Sequence, residues 1–294
     1  MEEKLLTRAD FLLRCDIQRI LNHGIKDENP RPKYPDGTPA HTYFVTHNIR
    51  TYHLEKGEFP ICTLRPIAWK SAIKEMLWIY QDESNDLFLL NDKYGVKAWN
   101  EWESKDYPVT IGYRYGHTVK RYDLMNRLLK DIKENPYGRY HIMNLWQEEE
   151  FKDSDGLKPC AYETIWTVRG EYLDMFLTQR SGDMLVASGA GQWNEVQYAA
   201  LLMMVAKATG YKAGKFTHAV INEQIYDRHI EQAKELISRC ENLKTKGSTY
   251  EYEFDEVKVT FNPKSDDFYS FTIDDFELIG YKPIKPQLNF DLGI

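Results

Sequence analysis

The sequence lacks the features of a secreted, disordered or membrane-embedded protein. It has four cysteines in 294 residues, widely spaced and without a CxxC pair. A chain of this length does not need disulfide bridges, so we expect a reducing, cytoplasmic compartment. The N-terminal stretch MEEKLLTRAD is acidic and mixed, and the longest apolar run, around residues 198–206, is far shorter than a membrane span. We therefore expect no membrane association.

An excess of charge of one sign is also missing. The chain has 38 Lys and Arg against 45 Asp and Glu, a net charge of -7. This balance argues against a protein that coats nucleic acid, although it leaves room for a local basic pocket that binds one phosphate. Apolar residues make up 42% and aromatic residues 14%, which excludes intrinsic disorder. With no repeat or low-complexity linker, residues 1–294 are predicted to form a single domain.

Hydrophobic periodicity of both helical and strand type is present, and it predicts an α+β fold in which helices cover a mixed or antiparallel sheet. A long loop at 24–39, rich in Gly, Asp, Asn and Pro, carries Arg31. Helices are expected at residues 8–22, 69–81, 122–134, 195–209 and 227–240. Strands are expected at residues 42–51, 59–64, 141–146, 162–168 and 172–179, the last two forming a hairpin.

Cys160 enters the first strand of this predicted hairpin. If the turn centres on Arg169-Gly170, opposed residue numbers sum to 339, which places Cys160 across from Gln179 and beside Arg180. A neighbouring guanidinium stabilises a thiolate, which is the nucleophilic form of cysteine. One β-bulge would change this register. The alternative is a buried cysteine that serves only in packing.

Two further polar side chains each allow two interpretations. Glu75 lies between Ala72 and Ile79 on a predicted helix, where poor solvation would raise its pKa and suit it to proton transfer; otherwise it is a rim carboxylate paired with a lysine. Asn194 precedes the predicted buried helix and is either its N-cap or a ligand contact. As a contact, its amide offers the donor and acceptor that match the N3–H and O4 of a pyrimidine.

These residues belong to a pattern that resembles the folate-dependent thymidylate synthases over almost the whole chain. Each matching stretch is weak alone, but their order and spacing together are specific. The stretches are residues 36–42, 75–78, 99–102, 115–116, 135–136, 159–162, 179–183, 194, 197–198, 225–226 and 271–280.

The resemblance implies reductive methylation of dUMP to dTMP, with 5,10-methylenetetrahydrofolate giving both carbon and hydride and with no metal. It implies that Cys160 adds to uracil C6, and that Glu75, Asn194 and Tyr115 also act in catalysis. It further implies an obligate homodimer joined sheet to sheet. The implied dUMP ligands are Arg31, Arg139 of the partner subunit, Gln179, Arg180, Ser181, Asp183, Asn194, Gln224 and Tyr226. The implied folate ligands are Trp99, Asn100, Asp183 and Ile294, the last within a C-terminal tail that closes over the site.

Several positions depart from the family pattern. Where a second arginine is usual after Arg139, this chain has Tyr140, which brings no charge and no fork of donors. The stretch 183–194 is longer than usual and is expected to form a Gly-rich loop beside the base and the folate. The other replacements are Arg65 for a lysine, Gln224 for a sugar-contacting histidine, and Asn222 and Asn100 for aspartates.

Two other functions are compatible with part of this pattern. A pyrimidine nucleotide hydroxymethylase would form the same cysteine adduct but let water capture the exocyclic methylene. Asn194 argues against a cytosine substrate, and Trp99 favours hydride transfer because an aromatic wall keeps water from the intermediate. A non-catalytic nucleotide- or RNA-binding relative is disfavoured because Cys160 and Glu75 are present and the acidic balance gives no footprint for RNA.

Overall fold

The computed structural model describes residues 6–243, 254–291 and 293. Its helices are α1 Arg8–His23, α2 Trp69–Tyr80, α3 Leu87–Tyr94, α4 Gly116–Arg121, α5 Leu124–Glu134, α6 Glu150–Asp153, α7 Trp193–Thr209 and α8 Ile230–Glu241. Its strands are β1 Ile25–Lys26, β2 Thr42–His53, β3 Ile142–Asn144, β4 Ala161–Arg169, β5 Tyr172–Asp183, β6 Lys212–Tyr226, β7 Lys258–Phe261 and β8 Phe276–Ile279.

The main sheet has six strands in the order β1-β2-β6-β5-β4-β3. Strands β5 and β6 run parallel, and the other neighbours in this sheet run antiparallel. Helix α7 is buried nearly all round and packs against α2 and against β5 and β6. Strands β7 and β8 form a separate antiparallel pair. The predicted α+β fold, a mixed sheet covered by helices, is confirmed.

The predicted helices agree with the structure within a few residues, but some predicted strands do not. Residues 59–64 form no strand, although every one of them is buried. The N–H of Cys62 donates to the carbonyl of Gly191 and that of Thr63 to the carboxylate of Asp10, so the backbone is paired without a neighbouring strand. The predicted strand 141–146 shortens to β3, and the predicted loop 24–39 contains the short β1.

The hairpin of β4 and β5 has a different register from the predicted one. The turn is centred one residue later than predicted, so opposed residue numbers sum to 341 along most of the hairpin; a bulge between Ala161 and Glu163 then adds a residue to β4 and brings the sum to 340. The prediction that Cys160 lies across from Gln179 is therefore wrong. The N–H of Arg180 donates to the carbonyl of Cys160 at 2.9 Å, which puts the arginine directly opposite the cysteine.

The face of the main sheet turned away from the helices carries exposed apolar side chains. Ile142 pairs with Ile165 and Ile165 with Phe176, so these three form a row across β3, β4 and β5. Each is more than a third exposed, and Ile49 on β2 is 59% exposed. A contiguous apolar surface of this kind marks an interaction site.

On the opposite, inner face of the sheet, Arg50 of β2 lies at the centre of a buried ion cluster. Its guanidinium donates to Asp16 at 2.9 Å, to Glu195 at 2.7 Å and to Glu223 at 3.0 Å. It also donates to the carbonyl of Ser188 at 2.6 Å. The one cation thus joins α1, β2, α7, β6 and the segment before α7.

Three carboxylates around one guanidinium need an unequal distribution of protons. Burial would raise the pKa of Glu195, but Arg50 and His218 lower it to about 2. Burial raises the pKa of Glu223 to about 7, because the attraction of Arg50 is offset by the nearby charge of Asp16. Glu195 is therefore ionised near neutral pH, while Glu223 binds a proton more readily than Glu195 does.

Replacing Arg50 by methionine is expected to destabilise the fold strongly, since it leaves the buried carboxylates without their cation. We expect a loss of about 3–5 kcal/mol in the free energy of unfolding. Urea unfolding at a fixed protein concentration and neutral pH measures it. The matched control is Arg169→Met, which breaks an exposed ion pair with Asp174 and should cost about 1 kcal/mol or less. Similar small losses in both variants would contradict the central role given to Arg50.

Candidate active site

The half-buried thiol of Cys160 lies beside a fixed guanidinium at the start of β4. Its Sγ atom is 3.4 Å from Nη2 of Arg180. Arg180 is held by the carbonyls of Pro159 and Lys158, to which it donates at 2.9 and 2.8 Å. The arrangement of a cation against the thiol, predicted from the sequence, is therefore present, although it arises from a different register.

The charge balance at Cys160 is set by two opposing effects. Burial raises the pKa of the thiol, and the charges of Arg180 and Arg31 lower it without cancelling the effect of burial. The thiol is thus mainly protonated at neutral pH. Its conversion to a nucleophile depends on these two arginines and on the groups that receive its proton.

The side chain of Tyr115 is hydrogen-bonded to the backbone of Cys160. The backbone N–H of Cys160 donates to the hydroxyl oxygen of Tyr115 at 3.2 Å. Tyr115 has a φ of 49°, in the left-handed region that side chains rarely adopt, at the start of α4. The strained backbone of Tyr115 thus coincides with the hydrogen bond between its hydroxyl and Cys160. The ring of Trp99 packs edge-on against Tyr115, with centroids 5.1 Å apart.

Glu75 of α2 is only 5% exposed and lies on the same side of the site. The indole N–H of Trp193 donates to its carboxyl group at 3.1 Å. Burial raises the pKa of Glu75, against the opposing influence of Gln197, Trp99 and Trp193. The prediction of a poorly solvated carboxyl with a raised pKa is confirmed, and the alternative of a rim carboxylate paired with a lysine is wrong.

Asn194 is the second residue of α7, and Gln192 occupies the N-cap position. The N-cap interpretation is wrong because the helix starts before the residue from which its periodicity was counted. The amide of Asn194 accepts from Nε2 of Gln179 at 3.2 Å and donates to Oε1 of Gln197 at 3.0 Å. Its position is thus fixed by neighbouring amides.

The ends of β5 and β6 bring further polar groups together. Ser181 and Asp183 follow Gln179 on alternate residues of β5, and Gln224 of β6 pairs with Asp183. Burial raises the pKa of Asp183, partly opposed by His229, whose Nδ1 lies 3.9 Å away. Burial also raises the pKa of Tyr226 to about 12; Asp183 and Cys160 add to this increase, and Arg31 opposes it.

Three predicted site residues are not part of this cluster within the chain. Arg139 is exposed in the segment between α5 and β3. Asn100 is exposed and accepts a hydrogen bond from Asn91 at 3.1 Å. Ile294 lies outside the described residues.

The segment before α7 is not the Gly-rich loop expected beside the base and the folate. Residues Met184–Ser188 form a single π-helical turn, and residues 188–192 are buried. A Cβ atom on Gly191 would lie 2.3 Å from the backbone nitrogen of Cys62, so the chain passes too close for any side chain. Two arginines hold this turn in place: Arg65 donates to the carbonyl of Leu185 at 2.7 Å, and Arg50 donates to the carbonyl of Ser188.

Sequence reasoning missed Trp193, Gln197, His218 and Glu195 as parts of the site and its support. Helix α7 is mostly apolar and buried, so the polar residues Glu195 and Gln197 within it were the signal that could have identified these two. Among residues 6–243 and 254–291, no helix is long and apolar enough to cross a membrane. The same residues hold no group of three His, Cys, Asp or Glu side chains that could bind a metal ion.

The site on this α+β scaffold combines a cysteine facing a fixed arginine, a buried carboxyl of raised pKa and an amide held by its neighbours, which is the equipment that enzymes with a cysteine nucleophile require. The family model described as thymidylate synthase matches residues 14–293. The chain therefore belongs to the thymidylate synthase family.

Similar proteins match along their whole length. The chain is 49% identical to a thymidylate synthase of Streptococcus pneumoniae (strain 70585) and 48% identical to one of Lactococcus lactis subsp. lactis (strain IL1403). Each alignment covers 98% of this chain and 100% of the relative. Among solved structures, thermostable thymidylate synthase A from Bacillus subtilis superposes with a TM-score of 0.85 at 36% identity, covering 98% of this chain and 100% of that chain.

Removing the guanidinium of Arg180 should slow alkylation of Cys160. Because this charge lowers the pKa of the thiol, Arg180→Ala raises that pKa and reduces the thiolate fraction at a given pH. We expect alkylation by iodoacetamide at pH 8 to slow by about 3–10-fold, since one pKa unit corresponds to about a tenfold change in thiolate. Mass spectrometry of the peptides gives the rate for each cysteine.

Cys15 provides an internal reference, because it is also partly exposed and far from Arg180 in the sequence. The Arg180→Lys variant keeps a cation and should lie between the wild type and Arg180→Ala. Equal alkylation rates at Cys160 in all three proteins would show that Arg180 does not tune the thiol.

Proposed function

We propose that this chain catalyses the reductive methylation of dUMP to dTMP, with 5,10-methylenetetrahydrofolate as co-substrate and dihydrofolate as the second product. The observation that carries the proposal is the placement of Sγ of Cys160 at 3.4 Å from Arg180, in the same cluster as a buried Glu75 and the fixed amide of Asn194. Membership of the thymidylate synthase family supports it.

Cys160 acts as the nucleophile. C5 of uracil is a poor carbon nucleophile, and addition of a thiolate at C6 turns the C5–C6 double bond into an enolate that reacts at C5. Arg180 and Arg31 favour the thiolate that makes this attack. The backbone N–H of Cys160, tied to Tyr115, keeps the sulfur in one position.

Glu75 and Tyr115 move protons. Because burial raises the pKa of Glu75, this carboxyl stays protonated to a higher pH than an exposed one, which favours its action as a proton donor and acceptor. We assign it the transfers at O4 and C5 of the pyrimidine. The hydroxyl of Tyr115 accepts from the N–H of Cys160 and keeps its own hydrogen to donate into the site.

The nucleotide is held at three points. Asn194 reads the base through its amide, and Gln179 supports it. Arg31, Arg180, Ser181 and Arg139 of the partner subunit bind the phosphate, which accounts for a cluster of arginines in an acidic protein. The sugar lies against Asp183, Gln224 and Tyr226, at the ends of β5 and β6.

The folate supplies the one-carbon unit and the hydride. The half-buried ring of Trp99, packed against Tyr115 and acting on Glu75, fits an aromatic wall for its ring system. We assign contacts with it to Asp183, Asn100 and Ile294 at the end of the tail, although Asn100 lies outside the cluster described above. The described part of this tail already lies nearby, since Phe290 packs against His229 at 5.1 Å and Arg65 lies 5.2 Å from the Phe290 ring.

The active unit is a homodimer joined through the exposed sheet face. The apolar row of Ile142, Ile165 and Phe176 is the surface that such a contact would bury. In a C2 dimer of this type, Arg139 of the partner subunit would bind the phosphate in this chain's site. The exposure of Arg139 in the single chain is consistent with such a contact.

Replacing Cys160 by serine should abolish turnover while leaving nucleotide binding measurable, because serine keeps the shape of the site but is a far weaker nucleophile. The rate of dTMP formation and the dissociation constant of dUMP are measured for the wild type and for Cys160→Ser. The control is Cys15→Ser, outside the site, with a rate close to that of the wild type. Retained dTMP synthesis by Cys160→Ser would refute the covalent mechanism.

Complementation between two impaired variants tests whether Arg139 acts in the active site of the partner subunit. Arg139→Ala weakens the phosphate contact and Cys160→Ser removes the nucleophile, so each homodimer is impaired at low dUMP concentration. A mixed dimer regains one complete site if Arg139 reaches across the interface, and random re-association then restores roughly a quarter of wild-type activity. If both groups act in the same subunit, no mixed site is complete and no activity returns.

A further inference from the structure

A row of buried polar side chains runs from Asn194 into the core. Nε2 of Gln179 donates to Oδ1 of Asn194 at 3.2 Å and to the carbonyl of Ser181 at 3.0 Å. On its other side, Oε1 of Gln179 lies 3.0 Å from Nε2 of His218. His218 is fully buried on β6, and its Nδ1 lies 3.1 Å from Glu195 and 3.4 Å from Nη2 of Arg50.

The Ser181 carbonyl determines which way the amide of Gln179 points. A carbonyl can only accept, so the nitrogen of the Gln179 amide faces Ser181 and Asn194, and its oxygen faces His218. The contact at 3.0 Å then requires a hydrogen on Nε2 of His218. Two forms of the ring meet this requirement: the neutral Nε2–H tautomer, whose Nδ1 accepts from Arg50, and the imidazolium ion paired with Glu195. The neutral Nδ1–H tautomer does not.

The orientation of the Gln179 amide in turn fixes that of the Asn194 amide. Its oxygen is taken up by Gln179 and its nitrogen donates to Oε1 of Gln197 at 3.0 Å. A flipped Asn194 amide would bring two N–H groups together at Gln179 and two oxygens together at Gln197, and each buried group without a partner is costly. In the observed orientation, the remaining lone pair and hydrogen of Asn194 match N3–H and O4 of uracil. Cytosine presents the opposite pattern.

We infer that His218 is a positioning residue that fixes the amide row of Gln179 and Asn194 in the orientation that selects uracil over cytosine. The inference rests on the proposed function, because it concerns how the same site reads its base. His218 itself is buried behind Gln179, so it acts through that side chain. Glu195 and Arg50 in turn hold the ring, which connects base selection to the ion cluster in the core.

The test compares the dissociation constants of dUMP and dCMP for the wild type, His218→Phe and His218→Gln. Phenylalanine fills the space but has no hydrogen to donate, so we expect the preference for dUMP to fall by about tenfold or more, mainly through weaker dUMP binding. Glutamine can place an amide N–H near the position of Nε2 and should restore most of the preference. The control is Val205→Ala, a buried change on α7 whose side chain is not part of the row.

A folded His218→Phe variant, checked by its melting curve, that keeps the wild-type ratio of dCMP to dUMP dissociation constants would overturn the inference while leaving the proposed function standing. A wild-type chain without preference for dUMP would overturn both. Should His218→Phe not fold, the ¹⁵N signals of the wild-type imidazole, assigned by their loss in His218→Gln, decide the question. A hydrogen on Nε2 is expected, and a neutral ring with its hydrogen on Nδ1 would refute the role of His218.

Discussion

The buried guanidinium of Arg50 is the interaction on which the rest of the structure depends. It joins α1, the central strands, α7 and the turn at 184–188 through three carboxylates and one carbonyl. Such a cluster is tolerated only when nearly every partner is satisfied. Because Glu195 is one of those partners, the cluster also determines where the first turn of α7 lies. That turn carries Asn194 and Gln197, so a packing constraint in the core becomes the geometry of the site.

Protonation in the site follows from burial opposed by a few charges. Burial raises the pKa values of Glu75, Asp183 and Cys160 alike. For the two carboxyl groups this outcome suits proton transfer and contact with neutral ligand atoms. For Cys160 it works against nucleophilicity, and the arginines on either side oppose it. An acidic protein can therefore maintain a small basic pocket, since the charges of a few arginines act most strongly on the groups nearest to them.

Much of the fold and of the site was predictable from the sequence, because helical periodicity and the polar ends of strands are local patterns. The proximity of Cys160 and Arg180 was predicted correctly, although the register that led to it was wrong, because the turn lies one residue later than predicted and a bulge in β4 offsets only part of this shift. The buried segment 59–64 was misassigned, since an apolar run does not reveal whether its N–H groups pair with a strand or with Asp10 and Gly191. The π-turn and the row through His218 depend on contacts between residues distant in sequence, which no local pattern encodes.

The central claim, that the covalent pyrimidine adduct is resolved by hydride transfer, is tested most directly by isotope transfer. The enzyme is incubated with dUMP and a methylenetetrahydrofolate carrying deuterium at the ring carbon that gives up the hydride, and the nucleotide product is analysed by mass spectrometry. The account predicts dTMP with one deuterium in its methyl group, together with dihydrofolate. Formation of 5-hydroxymethyl-dUMP without deuterium, together with tetrahydrofolate, would contradict it.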